Sequence, residues 1–411
     1  MTLPPVTRRP SDRATSLLPR YAGALRAAAA LVILAALLAL AWALHATPGR
    51  GAPAALSLLL GTALGIVFER GRFCFFCILR DGIEHGNSGP AYAILAALAT
   101  GSIGYALVLG IFLPSPFVGR LPAEAHIGPV SWVLVLAGLA FGLGMALSGA
   151  CISGHLYRLG EGSTRAPFAL FGATIGLGAG LLSWNPLYRL AIADAPVLWL
   201  PAWLGYGGAL ALQLALLAGL ALLLLRGLPE IPARSAARPS LATVGAALLR
   251  ERWPPLTTGA LVGIIGAVAY LRVEPLGVTS QLGSLARTAL DGVGLLPARL
   301  YGLDTLAGCA TRVARTITSN GLLIGGLVLG SLAAALASER FSLSRPTWRG
   351  AGSAFLGGVL QGWGALLALG CTVGTLLSGI SAFAVAGWVF AAAMLGGVWL
   401  GIRLRLHAWG E

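Results

Sequence analysis

Ten apolar stretches run along the chain, near 27–46, 53–69, 90–113, 131–149, 165–183, 203–225, 255–273, 318–338, 350–370 and 383–402. Each is long enough to cross, or nearly cross, roughly 30 Å of hydrocarbon. Polar residues gather in short clusters between them. The pattern predicts an all-α polytopic membrane protein of about ten transmembrane helices, joined by short re-entrant segments where an apolar run is interrupted by glycine.

Composition sharpens this picture. Of the 411 residues 57% are hydrophobic and only 10% are charged, against roughly 25% charged in an average soluble domain. A soluble enzyme is excluded, because so apolar a chain could not cover a water-facing surface. The 58 glycines follow no collagen-like period, which points to close helix–helix packing and broken helices in a bilayer. All 28 basic residues are arginine and the net charge is +14. These arginines fall between apolar runs, not in one basic domain, so they speak for membrane orientation and against nucleic acid.

The first 26 residues carry five arginines ahead of the first apolar run. No clean small-x-small site follows, so this run is expected to stay as an uncleaved span. With the leader in the cytoplasm, the Arg/Pro-rich segment 226–254, the loop 339–349 and the tail with Arg403 and Arg405 also fall inside. The loops 114–130 and 184–202 fall outside with only Arg120 and Arg189. This is the positive-inside asymmetry, and it predicts that both termini lie in the cytoplasm. Residues 274–317 resist, because they should lie outside yet hold Arg287, Arg299, Arg312 and Arg315. Either the count slips there, or the segment folds back and its arginines serve a purpose, such as attracting anions.

The halves on either side of 226–254 echo each other. Gly142 to Gly154 aligns without gaps with Gly362 to Gly374, which pairs Cys151 with Cys371. More weakly, Gly71-Arg-Phe-Cys74 matches Gly277-Val-Thr-Ser280. The first copy starts outside and the second inside, which is an inverted repeat with a binding site expected where the copies meet. The expected units are 1–52 (leader and an extra first helix), 53–225 (first repeat), 226–254 (linker) and 255–411 (second repeat).

Both copies share one grammar. A Gly-x-Gly helix stops, a cysteine follows, then comes a glycine three residues on (Gly154, Gly374) and a segment too short to span. Backbone broken at membrane depth is tolerated only where protein or a water-filled cavity satisfies it. The next helix would then present free N–H groups and its positive dipole end to that cavity. Cys74 sits at a similar interruption. Its Cys74-Phe-Phe-Cys77 spacing also permits a redox pair or part of a metal site, although the usual βαβ context and a second ligand pair are missing. Cys309 lacks the grammar and reads as a buried thiol. Charges beside the breaks (Glu69, Arg70, Arg80, Asp81, Arg158, Glu161) alternate in sign, and the expectation is that they pair and pin the segments. Neither a nucleotide-binding loop nor a Ser-His-Asp order is visible, and no cofactor, metal or enzymatic role is expected.

At these motifs the chain resembles the YeeE/YedE family of sulfur-transport membrane proteins. The carrying residues are Phe68-Glu69-Arg70, Cys74, Arg80-Asp81, Cys151 with Gly154, Tyr157-Arg158, Glu161-Gly162, Gly370-Cys371 and Trp388, spread over about 60–402. The resemblance implies an hourglass-shaped helical permease for thiosulfate or a related sulfur or selenium species. It also implies that Cys74, Cys151 and Cys371 line the central path with protonated thiols, and that a small cytoplasmic sulfur-carrier protein is a possible partner. Cys77, Cys309, Ala150 and the extra first span depart from the pattern. Other readings stay open: a membrane thiol oxidoreductase built on Cys74 and Cys77, or a permease for another small solute.

Overall fold

The computed structural model describes residues 18–49, 51–122, 124–228, 249–303, 316–343 and 347–410, together with 245, 313 and 345. The helices are α1 (Leu18–Ala46), α2 (Gly51–Gly71), α3 (Phe75–His85), α4 (Ala91–Phe112), α5 (Trp132–Ser148), α6 (Ile152–Gly160), α7 (Ala166–Leu187) and α8 (Pro201–Leu224). After the linker come α9 (Pro255–Arg272), α10 (Ser280–Gly292), α11 (Ser319–Ala337), α12 (Trp348–Leu367), a π-helical turn (Thr372–Ser378) and α13 (Val385–Arg403). Nine helical segments among the described residues are long and apolar enough to span a membrane, and α12 with the turn after it, bent by 43°, makes up to ten. Each of the ten apolar stretches has become a helix. The boundaries are set by caps that hydropathy does not weigh: the side chains of Ser131, Thr318 and Thr347 accept from the N–H groups of Leu134, Gly321 and Gly350 and so start α5, α11 and α12.

Glycine seams decide which helices meet. A Cβ at Gly61 or Gly65 would overlap the backbone of Leu323 or Leu327, so α2 and α11 run parallel with their backbones in contact. Gly259 and Gly263 meet Ala93 and Ala97 in the same way across α9 and α4. Gly172 and Gly176 meet Phe355 and Val359 across α7 and α12, and Gly138 and Gly142 meet α13 near Ala393 and Gly397. In contrast, α5 and α12 run antiparallel, with Gly144 against Gly357 and Gly364 against Ala137. Without a solvent to squeeze helices together, close backbone approach of this kind supplies the packing energy in a bilayer. The pairing is what an inverted repeat demands. If α2 corresponds to α9, α4 to α11, α5 to α12 and α7 to α13, the seam α2–α11 maps onto α9–α4, and α5–α13 onto α12–α7.

The connecting segments converge on two faces. On the linker face, Ser88 N–H donates to the Gly227 carbonyl at 2.9 Å, Trp253 N–H to that of Arg70 at 3.0 Å, and Ser342 N–H to that of Glu161 at 3.1 Å. On the opposite face, Pro129 bridges to Val197 and Trp199 to Ala384, and Trp184 Nε1 donates to the Tyr301 carbonyl at 2.8 Å. The contact with Tyr301 puts the resisting segment on the face that the count of spans assigns to it, with Arg287 and Arg299; Arg312, Arg315 and Cys309 lie outside the described residues.

Candidate functional site

Two helix breaks lie back to back inside the protein. The first follows α5: Gly149 closes the helix in the left-handed conformation (φ 82°), Ala150 continues it, and Cys151 becomes the N-cap of α6. The second follows α12, and here the left-handed residue is Leu369 (φ 56°), with Gly370 and Cys371 after it. Beyond Cys371 the chain winds as a π-helix, where the sequence suggested a copy of α6. Such turns are uncommon and frequently mark functional sites. The π-helical turn packs against α6, so the two short segments meet.

Cys74 joins the first break from α3, whose N-cap it is. Its sulfur lies 4.0 Å from that of Cys151, and both residues are fully buried. Gly154 makes this possible: a Cβ there would stand 2.8 Å from Cys74 Sγ and 3.4 Å from Cys151 Sγ. The Cys151 sulfur also accepts from Gly154 N–H at 3.3 Å and contacts Ser153 Oγ at 3.2 Å. One of the N–H groups expected to face the cavity is therefore already held by the thiol. Gly370 is needed for a different reason, since a Cβ would crowd Thr375. Gly374 makes room for His126, whose Cε1 would lie 3.2 Å from an added Cβ.

Arg158 departs from expectation. The alternating charges suggested that it pairs with a carboxylate, but it donates to Cys77 Sγ at 2.8 Å and to the Gly149 carbonyl at 3.1 Å. It thus ties α3 to the first break, and Cys77 is an acceptor in that tie. Arg80 does follow the expected pairing, at 3.3 Å from Asp81 and 3.8 Å from Glu84. Ser280 opens α10 as Cys74 precedes α3, yet the polar bonds around it run to Asn320 and Thr318 through Gln281, not to the cysteines. The four described cysteines are free thiols.

Three neighbours were not singled out from sequence. Gln361 on α12 donates to Ser148 Oγ at 2.8 Å and to the Ala150 carbonyl at 3.1 Å, which satisfies the backbone freed by the first break. Thr372 Oγ1, next to Cys371, and His126 Nδ1 are buried without a hydrogen-bond partner in the protein. A polar residue inside an apolar run was the available signal for Gln361 and Thr372. His126 comes from a loop, where nothing in its neighbours marks it.

A profile described as "Sulphur transport" matches residues 70–400, which takes in both breaks and all three cysteines. The chain belongs to the sulphur transport family. Two curated relatives are similar over nearly their whole length. The thiosulfate transporter TsuA of Escherichia coli K12 is 29% identical over 83% of this chain and 92% of its own. The thiosulfate transporter TsuA of Spirochaeta thermophila is 30% identical over 83% of this chain and 96% of its own. The probable transporter YedE of Escherichia coli K12 matches a shorter stretch, 41% of this chain at 29% identity. As a member of the sulphur transport family, the chain is a multi-pass membrane protein with a transport role.

Proposed function

We propose that this protein is an inner-membrane permease that takes up thiosulfate, or a closely related sulfur anion, between two opposed helix breaks lined by Cys74, Cys151 and Cys371. The linker face is then the cytoplasmic one, and the repeats are 53–225 and 255–411. The observation that carries the proposal is the pair of thiols, Cys74 and Cys151, meeting at 4.0 Å at the N-termini of two short helices inside the bundle.

The chemistry suits a soft, doubly charged, strongly hydrated ion. A full positive charge at the constriction would hold it too long, whereas conduction needs sites that replace hydration without a deep trap. Protonated thiols are weak S–H donors, and helix N-termini add N–H groups and positive potential. The Cys151 sulfur accepts from Gly154 N–H, which leaves its S–H to be shared among Ser153 Oγ, Cys74 Sγ and an arriving anion. The buried hydroxyl of Thr372 offers one more donor beside Cys371.

The test is growth on thiosulfate as sole sulfur source in a bacterium stripped of its sulfate and thiosulfate importers. Rescue by the wild type and loss with Cys74→Ala, Cys151→Ala and Cys371→Ala, at matched expression, is the expected result. Rescue by all four keeps the permease and removes the thiol path. No rescue moves the substrate to another species.

A further inference from the structure

At the linker-face end of α2, one carboxylate sits among three guanidinium groups. Glu69 is fully buried, and Arg340 Nη1, Arg252 Nη1 and Arg70 Nη1 lie 3.6, 3.7 and 3.8 Å from its oxygens. None of the three is a hydrogen bond; the side chain that does bond the carboxylate is Ser338, at 3.4 Å. The arginines are held by carbonyls instead. Arg70 donates to Glu251, Arg252 to the Glu69 main chain, and Arg340 to Arg250 at 2.7 Å. Some of their remaining N–H groups lack hydrogen bonds: Arg70 Nε and Nη1 and Arg340 Nη1 are buried and unbonded, as is Glu69 Oε2. Arg70 is only 2% exposed.

Three fixed cations for one carboxylate is an unbalanced arrangement. Glu161 lies close enough to feel Glu69 and Arg252, and burial and the Glu69 charge push its carboxyl above the ordinary carboxylate value. Buried guanidinium groups left short of hydrogen bonds are costly, and buried charge in a membrane protein marks function by default. The place matters as well. Arg72 N–H bonds the Glu69 carbonyl and Phe73 N–H that of Phe68, so a single tight turn separates this cluster from Cys74. Arg252 and Arg340, with 36% and 26% of their side chains exposed, open the cluster to water.

We propose that Arg70, Arg252 and Arg340 form a second anion site at the linker-face end of the thiol path, for a small divalent sulfur oxyanion, with the Glu69 carboxylate as its tethered competitor. Planar guanidinium forks suit such oxyanions, and this inference rests on the permease reading. An ion arriving from Cys74 displaces Glu69 from the arginines, and the returning carboxylate expels the ion to water. The competitor prevents three arginines from becoming a trap.

The experiment measures binding of thiosulfate, with sulfate as a second probe, to the purified full chain by calorimetry, and thiosulfate uptake in proteoliposomes. Glu69→Gln should bind the anion about tenfold more tightly and transport it more slowly. Arg340→Gln should bind about tenfold more weakly, the scale of one charge-assisted hydrogen bond. Cys151→Ala should lose uptake while binding at the arginines persists. Unchanged affinity in both charge variants overturns the proposal, and if Glu69→Gln does not fold, unchanged affinity in Arg340→Gln overturns it alone. Wild-type protein that binds the anion but transports none defeats the permease and leaves the site standing.

Discussion

The sulfur of Cys74 occupies space that Gly154 leaves open: a Cβ at residue 154 would come within 2.8 Å of it. The residue that shapes the first break and the thiol that faces it are therefore one unit, although 80 positions separate them in the chain. Gly154→Ala must push Cys74 away from Cys151 or unwind the start of α6, at a cost of about 1–3 kcal/mol. Thiosulfate uptake in cells should drop at least about tenfold, and the purified protein should melt earlier. Unchanged uptake would mean that the sulfurs need not meet.

The bond between Arg158 and Cys77 predicts a contrast between a substitution at each end. Cys77→Ser keeps an acceptor for the guanidinium and should retain most of the uptake. Arg158→Gln loses both the sulfur and the Gly149 carbonyl as partners, and hydrogen bonds to charged groups are worth about 1.5–3 kcal/mol each. That variant should be thermally weaker and transport poorly. If Cys77→Ser is instead as inactive as Cys74→Ala, a redox pair becomes the better account of these two thiols.

The conformation at residue 149 gives a test of the break itself. Gly149 has φ 82°, where an L side chain costs about 1–2 kcal/mol. Gly149→Ala should lower thermal stability by that order. Gly110, inside α4 with nothing within 4 Å of an added Cβ, is the control: Gly110→Ala should be neutral or stabilising by up to about 1 kcal/mol.

Gln361 on α12 reaches the backbone of the break that follows α5. Gln361→Leu removes donors from Ser148 Oγ and the Ala150 carbonyl and should cost about 1–3 kcal/mol, the penalty of buried polar groups left short of partners. Thermal unfolding of the purified variant checks this. Gln361→Glu, which cannot donate when ionised, should fare no better.

Much of this was legible in the sequence, for physical reasons that can be named. Ten spans appear because a helix in lipid must be apolar along its length, and the breaks appear because Gly149, Gly154, Gly370 and Gly374 bracket cysteines within apolar runs. What could not be read was long-range. Nothing local to Arg158 announces a sulfur as its partner, and nothing near Gln361 tells that it mends a carbonyl 211 positions away. The second break differs from the first in detail, although Cys-Thr-Val-Gly looks much like Cys-Ile-Ser-Gly. A left-handed Leu369 and a π-helical turn are imposed by surroundings that the sequence alone does not reveal.

The parallel seams carry a consequence for biogenesis. Since α2 is covered by α11, α4 by α9, α5 by α13 and α7 by α12, the glycine faces of these four helices wait for helices synthesised later. A ribosome that stops after α8 leaves in the bilayer a set of helices whose grooves are filled only by lipid, a natural target for quality-control proteases. The two halves, cut in 226–254 and made as separate polypeptides, should therefore survive only when they are produced in the same cell.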